Sequence, residues 1–331
     1  MKLTCHSISL SPARISRAPD VMENCTVFTE FIFVGLSNRQ DVQLGLFVFF
    51  LFVYSTTVIA NIGMILLIKT DTRLHTPMYY FLSNLSLCDV CVSSPVSPKM
   101  LAHFLSEIKR IPYTVCPIQM FVFCMFGDVE ILVLAVMAYD HYVAICNPLL
   151  YTVAISRTLC TVLVFLTYIM GLVDSAVHTC LAFWLSFCKS NIINHFYCDL
   201  PPMFALATSD TFINEMMLFI LGTIIFGVSV FTVLLSYSYI IVTVLRMKSA
   251  EGRRKAFSTC ASHLCTVAIF HGTLLYMYLR PSSSYSMDTD KITSVIYMVI
   301  IPMINPLIYS LRNKDVKGAL KKTISTKLCP Q

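Results

Sequence analysis

The feature that most constrains this chain is a series of seven apolar runs, each long enough to cross a bilayer as a helix, which takes about 20 residues. The runs cover residues 44–68, 77–101, 116–145, 158–178, 212–245, 256–279 and 291–311. Only helices or closed barrels satisfy the backbone in lipid, and these runs are helix-length rather than alternating short strands. The sequence therefore predicts an all-α membrane protein, a seven-transmembrane helix bundle.

Composition excludes other classes of protein. The chain is 56% hydrophobic and 13% charged, whereas soluble domains have about 45–50% and 25%. The net charge of +6 is scattered between the apolar runs, so no basic face for nucleic acid is expected. Several of the 14 cysteines lie within the runs, where a thiol acts as a small hydrophobic group, so a disulfide-rich secreted scaffold is also excluded.

The orientation follows from the basic residues, because cytoplasmic loops carry an excess of Lys and Arg. Most of them fall in intervals on one side of the predicted bundle: Lys69, Arg73, Arg157, Arg246, Lys248, Arg253, Arg254, Lys255, Arg312, Lys314, Lys317, Lys321, Lys322 and Lys327. We therefore expect the N-terminus outside and the C-terminus inside. Asn24 opens an Asn-Cys-Thr glycosylation acceptor ahead of the first run, which this orientation places outside.

We divide the chain into an extracellular tail at 1–43, a seven-helix domain at 44–311 and a cytoplasmic tail at 312–331. Residues 1–21 are rich in Ser, Pro and Arg and read as a disordered extension. In the C-terminal tail, Val316, Ala319, Leu320 and Ile324 share a helical face beside lysines. This pattern predicts a short amphipathic helix on the inner leaflet.

Ionisable residues inside predicted spans are functional candidates, because they are costly in lipid. Asp89, Glu130 and Asn305 could meet inside the bundle, either as a cation or proton site or as a satisfied contact between helices. Asp128 lies about 200° around the helix from Glu130, so the two acids need separate environments. Asp128 is equally consistent with a pocket-lining acid and with an interhelical hydrogen bond, and Asp174 is a further candidate.

Prolines interrupt two of the runs. Pro95 and Pro98 lie late in the second, and Pro302 and Pro306 lie in the seventh. Proline removes a backbone donor and allows a kink. These kinks act as hinges or only shape the bundle, and the sequence leaves both readings open.

Four motifs on the predicted cytoplasmic side resemble those of the rhodopsin-like G-protein-coupled receptors, and within them the olfactory receptors. They are LHTPMY at 74–79, MAYDHYVAIC at 137–146, KAFSTCASH at 255–263 and PMINPLIYS at 302–310. The resemblance covers roughly residues 22–326. It implies a multi-pass plasma-membrane receptor for small, mostly apolar odorants that activates a stimulatory heterotrimeric G protein of olfactory type and raises cyclic AMP.

The resemblance also implies roles for individual residues. Cys116 and Cys198 match the family's disulfide, which would pin the second outer loop over the ligand cavity. Asp89, Glu130 and Asn305 match its inner polar cluster. The activation and coupling surface is matched by Asp140, His141, Tyr142, Asn305, Pro306 and Tyr309.

Three positions depart from the family pattern. His141 stands where the family has Arg, and a histidine is shorter and titrates, so we expect weaker or more pH-sensitive coupling. Cys188 matches one half of a second cysteine pair, but Thr208 replaces the other half, so Cys188 is expected to be unpaired or bonded to Cys180. His271 replaces a Tyr; it is expected to have a ligand-facing or switch role, with a core histidine as the alternative.

Motif alignment and helical spacing predict a mostly apolar ligand cavity between the outer halves of helices three, five, six and seven. Its expected lining is Phe123, Cys124, Gly127, Asp128, His271, Leu274, Leu275, Tyr278, Val295 and Met298. For Leu274 and Val295, ordinary core packing is the preferred reading.

No enzyme motif is visible, neither a zinc HExxH pair nor a phosphate loop nor a GxSxG elbow, and no cofactor is expected. A metal site at His178, Cys180, Cys188, His195 and Cys198 is conceivable, but a disulfide with surface histidines is simpler. The alternatives to an odorant receptor are a receptor-like chain with impaired coupling and, less favoured, a small-molecule transporter. A transporter would show inverted repeats with broken helices, and none is evident.

Overall fold

The computed structural model describes residues 28–37, 39–278, 287–312 and 314–328, and these form a bundle of long helices. The helices are α1 (Gln40–Thr70), α2 (Pro77–Ser93), α3 (Ser97–Phe104), α4 (Val115–Cys146), α5 (Tyr151–Ala154), α6 (Arg157–Trp184), α7 (Leu200–Leu206), α8 (Phe212–Arg246), α9 (Ala250–Tyr278), α10 (Met287–Val295), α11 (Ile301–Arg312) and α12 (Lys314–Leu328). A π-helical turn at Ile296–Ile300 joins α10 to α11.

Six of these helical stretches, within the described residues, are long and apolar enough to cross a membrane. The remaining span is shorter, because the second predicted run is divided into α2 of 17 residues and α3 of 8 residues. Together they give the seven-helix bundle that the sequence predicts. The fourth span is longer than predicted: α6 continues to Trp184 rather than ending at residue 178.

The prolines of the second and seventh spans have different effects on their helices. Helix α2 ends just before Pro95, and the carbonyl oxygen of Pro95 accepts a hydrogen bond of 2.8 Å from the side chain of Gln119. Pro306 has no N–H to offer the carbonyl of Pro302, four residues earlier in α11. The buried side chain of Asn61 in α1 supplies the missing donor at 2.9 Å. The expected kink in the second run is therefore a full break, while the seventh stays helical around Pro306.

A small sheet closes one end of the bundle. Strand β1 (Glu30–Phe33) pairs antiparallel with β2 (Arg110–Pro112) and parallel with β3 (Ile192–Ile193). Arg110 and Glu30 form an ion pair of 2.6 Å across it. The sheet joins the segment before the first span to the loops after the second and fourth spans. These three segments share one end of the bundle, opposite the basic loops, as the charge-based orientation requires.

Helix α12 follows the seventh span and carries the predicted amphipathic pattern. Val316 and Ala319 are buried against the bundle, while Lys317, Lys321 and Lys322 are exposed. Leu320, which shares the apolar side, is 47% exposed. The buried pair therefore attaches the helix to the bundle, and Leu320 remains outside the protein core.

Glycine permits the closest approach between α4 and α6. A Cβ atom at Gly171 would lie 2.7 Å from the carbonyl oxygen of Met125 and 3.0 Å from a methyl group of Val129.

We expect Gly171→Ala to cost about 1–3 kcal/mol of stability, because overpacking forces the backbone to shift. Thermal unfolding of the purified protein in detergent measures the loss. Gly227→Ala is the matched control, since nothing lies within 4 Å of its Cβ position. Equal melting temperatures for the two variants would show that the helices separate at no cost.

Candidate ligand-binding site

A cavity lies between α4, α6, α8 and α9, with α7 and the π-helical turn completing its wall. The empty space in it, counted together with its open mouth, is about 770 Å³. The cavity is lined by Phe123, Cys124, Gly127, Asp128, Ile131, Asp174, His178, Leu200, Leu218, Gly222, Ile225, Phe226, Leu274 and Tyr297. An apolar lining with few polar groups is typical of small-molecule sites. The arrangement can therefore hold a small, largely hydrocarbon molecule.

The polar part of the lining is a cluster of two acids and a histidine. Asp174 and His178 lie one turn apart on α6, with Oδ1 of Asp174 3.5 Å from Nε2 of His178. Asp128 on α4 has its carboxyl within hydrogen-bonding reach of Asp174. Asp128 Oδ2, Asp174 Oδ1 and His178 Nε2 are buried, and none has a hydrogen-bond partner. We call Asp128, Asp174 and His178 the acid–histidine cluster.

Gly127, next to Asp128 on α4, makes room in the cavity wall for an aromatic side chain. A Cβ atom at Gly127 would collide with the hydroxyl oxygen of Tyr297, which the π-helical turn carries into the cavity. The Tyr297 ring packs at 5.7 Å from Phe123 and 5.3 Å from Phe270, measured between ring centroids. The missing side chain at Gly127 therefore lets an aromatic residue of the seventh span reach α4.

The second outer loop covers the cavity and is fixed by the predicted disulfide. Cys116, at the start of α4, is bonded to Cys198, whose backbone N–H also donates to Gln119 at 3.0 Å. The next residue, Asp199, caps α7 by accepting the N–H of Leu200, which lines the cavity. The bridge between Cys116 and Cys198 is therefore confirmed. His195 lies in the same loop, where burial lowers its pKa to about 3, so its imidazole is neutral.

The expectation that Cys188 is unpaired or bonded to Cys180 is wrong. Cys188 is disulfide-bonded, and Cys180 is a free, exposed cysteine, so Cys188 is neither unpaired nor bonded to Cys180. Thr208, which replaces the family's cysteine, links the loop by hydrogen bonds instead: its N–H and its hydroxyl each donate to the carbonyl of Ser186 at 2.8 Å. These bonds hold residues 186 and 208 together without a covalent link.

The structure also bears on the alternative of a metal site in the outer loop. The simpler explanation, a disulfide with surface histidines, is wrong about the histidines, because His178 and His195 are 3% and 1% exposed. The structure separates their roles, because His178 belongs to the cavity wall and His195 packs on Phe196 and Tyr197 in the loop. Within the described residues, no group of three or more His, Cys, Asp or Glu side chains is arranged so that it could hold a metal ion.

Half of the predicted lining residues reach this cavity: Phe123, Cys124, Gly127, Asp128 and Leu274. Leu275 is half exposed on the outer side of α9, and Met298 is fully buried in the core. Val295 packs against the same core. The side chain of Tyr278 lies outside the described residues. The helix turns by about 100° per residue, which carries Leu275 away from the cavity that Leu274 lines.

His271 lies in the core rather than in the cavity lining. Its Nε2 is 2.8 Å from the hydroxyl of Ser229, and its Nδ1 is 3.0 Å from the carbonyl of Val267. Ser229 in turn donates to the carbonyl of Ile131 on α4. His271 therefore connects α9 to α8 and, through Ser229, to α4, as the core reading of this histidine requires.

The predicted inner polar cluster is assembled one layer deeper. The side-chain amide of Asn305 donates to Asp89 Oδ1 at 2.8 Å and to Glu130 Oε1 at 3.3 Å. All three residues are buried. Asp128 belongs to the cavity and Glu130 to this cluster, so the two acids on α4 do occupy separate environments.

The predicted coupling residues lie at the cytoplasmic ends of the helices. Asp140 accepts a hydrogen bond of 2.8 Å from the hydroxyl of Tyr151 on α5. His141 is buried with its ring edge against His263, 5.1 Å between centroids, and its Nδ1 has no partner. Pro306 is buried within α11, and Tyr309 has a buried hydroxyl without a hydrogen bond.

Tyr142 faces a different neighbour. Its ring packs at 5.5 Å from Tyr239 on α8. The remaining predicted site, the glycosylation acceptor at Asn24, lies outside the described residues.

Sequence reasoning missed Asp174 and His178 as cavity residues. Ending the fourth span at residue 178 placed His178 in a loop, and the usable signal was their spacing of four, which puts both on one helical face. The aromatic contribution of Tyr297 was missed as well, since a π-helical turn has no clear sequence pattern.

Comparisons with known proteins agree with this architecture. The olfactory receptor family matches residues 50–327. Human olfactory receptor 5W2 is 54% identical over 300 residues, which cover 91% of this chain and 97% of that protein. Mouse olfactory receptor 8U9 is 54% identical over 304 residues, covering 92% and 97%. The canine olfactory receptor-like protein OLF1 is 52% identical over 305 residues, covering 92% and 98%.

The matches to the relatives span nearly the whole length of each of them, and the segment that the family matches contains six helical spans in full and most of the first. They favour neither the transporter nor the impaired receptor-like chain, and the family is not one of enzymes. The chain therefore belongs to the olfactory receptor family, and it is a G-protein-coupled odorant receptor that spans the plasma membrane several times.

Proposed function

We propose that this receptor binds small, mostly apolar organic odorants in the cavity beneath the second outer loop and activates a stimulatory heterotrimeric G protein of olfactory type, which raises cyclic AMP. The observation that carries the proposal is the cavity itself, an apolar space closed by α7 and containing one buried polar cluster. An apolar ligand gains from leaving water for this lining, and the few polar groups orient it.

A conformational change at the cavity can reach the cytoplasmic end of the bundle through residues of the seventh span. Tyr297 lines the cavity, and α11, which follows its π-helical turn, carries Asn305 into contact with Asp89 and Glu130. Pro306 and Tyr309 continue on the same helix toward the cytoplasmic end. A ligand that displaces Tyr297 would therefore act on the helix that holds the inner polar cluster.

Coupling is proposed to occur where Asp140, His141 and Tyr142 meet the inner loops. The hydrogen bond from Tyr151 ties Asp140 to the loop after the third span. The exposed lysines of α12 are suited to the anionic lipids of the inner leaflet. We also propose that Asn24 carries an N-linked glycan on the outer side.

A broad odorant screen on surface-labelled cells tests the function, with His141→Arg expressed in parallel. We expect ligand-dependent cyclic AMP from the native chain and a response about fivefold larger from His141→Arg, the lower end of usual coupling effects between sites. The reason is that Arg is always charged, whereas His141 is buried and makes no hydrogen bond through Nδ1.

His141→Gln is the control, since it is polar and uncharged. Equal responses from the native chain and His141→Arg, at matched surface expression, would refute the role given to this position. Ligand flux without cyclic AMP, or silence to every odorant, would refute the receptor function itself.

A further inference from the structure

The acid–histidine cluster has three buried polar atoms without a hydrogen bond where it borders the cavity, and two of them, Asp174 Oδ1 and His178 Nε2, lie 3.5 Å apart. Asp128 Oδ2, Asp174 Oδ1 and His178 Nε2 are each buried without a hydrogen bond. A buried polar atom without a partner costs about 1–3 kcal/mol, and more when it is charged. Three such atoms at the wall of one cavity indicate that a bound molecule completes their bonding.

The charge of the cluster restricts what that molecule is. Two carboxyl groups lie side by side, and the residues lining the cavity include neither Lys nor Arg. Adjacent carboxylates in apolar surroundings repel each other, and a buried charge needs an opposite charge nearby. The histidine, at 3.5 Å from Asp174, is the only basic group in the lining.

We propose that the acid–histidine cluster binds the ammonium group of a small primary amine whose hydrocarbon part fills the apolar remainder of the cavity. The proposal rests on the function proposed above, since it assigns a ligand class to the same cavity. An ammonium carries three N–H donors and one positive charge. It therefore donates to the oxygens of Asp128 and Asp174 together and brings a positive charge to the two adjacent acids.

Other ligand classes fit less well. A hydroxyl group has one donor, so an alcohol satisfies one of the two acids and leaves the charge unbalanced. An aldehyde offers no donor, and a carboxylate adds a third negative group. The apolar side chains of Leu218, Ile225 and Phe226 suit a hydrocarbon chain and exclude a second strongly polar group at the far end of the ligand.

The test is a cyclic AMP assay with compounds that share a carbon skeleton. Hexylamine, hexanol, hexanal and hexanoic acid form one series, and benzylamine with benzyl alcohol forms another. We expect the amines to be more potent than their alcohols by about tenfold or more, the usual effect of a charge-assisted hydrogen bond. Asp174→Asn, which keeps shape but loses charge, should remove this preference. Asp210→Asn, an exposed acid of the outer loop, should leave it unchanged.

A second measurement keeps the proposal testable if a variant signals poorly. Hexylamine should raise the melting temperature of the purified native receptor and not that of Asp174→Asn. Alcohols or aldehydes that activate better than amines, or an Asn variant that keeps the amine preference, would overturn the amine assignment while leaving the odorant receptor intact. Absence of any thermal shift with hexylamine would overturn it as well. Silence to the whole odorant panel would instead refute the proposed function.

Discussion

Cys198→Ser should lower the free energy of unfolding by about 4–5 kcal/mol, the effect expected for a bridge that closes a loop of this length. The disulfide joins residues separated by 82 positions, and both sulfur atoms are buried. Without it, the earlier part of the second outer loop is still held by the disulfide of Cys188 and by the short pairing of β3. The part next to α7 keeps only the hydrogen bond between Cys198 and Gln119 and the packing of its aromatic residues. We therefore also expect loss of most odorant-dependent cyclic AMP, because Leu200 and α7 would no longer be held over the cavity.

The measurement is unfolding of purified receptor in detergent under non-reducing conditions, together with surface labelling in cells. Cys180→Ser is the matched control, since Cys180 is a free, exposed cysteine on α6. A Cys198→Ser receptor that unfolds like the native chain and signals normally would show that the hydrogen bonds and packing of the loop suffice to hold it.

The spans were predictable because their signal is strong and local. A bilayer requires about 20 consecutive apolar residues, and each predicted run overlaps an observed helical span closely. The sheet was not predictable by the same reasoning. Its strands have four, three and two residues, too short for an alternating pattern to stand out, and they pair segments that lie far apart in the chain.

The cavity shows where sequence reasoning stops. Helical spacing predicts that Phe123, Gly127 and Asp128 share one side of α4, and all three line the observed cavity. The sequence identifies Asp174 as an acid that is costly to place within a membrane span, but it does not identify the residue that Asp174 contacts. The structure pairs it with Asp128 across two helices, and a contact of that kind depends on the rotation of each helix, which the sequence does not specify.

His271 illustrates a different limit. The alignment with the family predicts a ligand-facing or switch role for His271. Whether a histidine faces a ligand, however, depends on the hydrogen-bond partners that its neighbours provide. Here Ser229 lies within hydrogen-bonding distance of its ring. The local hydrogen-bond partners, rather than the alignment position, therefore determine where this side chain points.

Asn305→Leu should destabilise the receptor by about 3 kcal/mol, because it leaves two buried acids without their donor. Asn305 gives hydrogen bonds to both Asp89 and Glu130, and the second oxygens of those carboxyl groups, Asp89 Oδ2 and Glu130 Oε2, already have no partner. Leucine has as many side-chain heavy atoms as asparagine and is bulkier, so the substitution opens no cavity. Thermal or denaturant unfolding in detergent measures it.

A double variant separates this polar effect from a packing defect. Replacing a buried acceptor together with its donor costs less than removing the donor alone, since fewer unsatisfied groups remain. In the double variant only Glu130 has lost its donor. We therefore expect Asn305→Leu with Asp89→Leu to be more stable than the sum of the two single changes predicts, by about 1 kcal/mol or more. Strict additivity would mean that Asn305 and Asp89 do not interact, and the inner polar cluster would then be a set of independent polar residues.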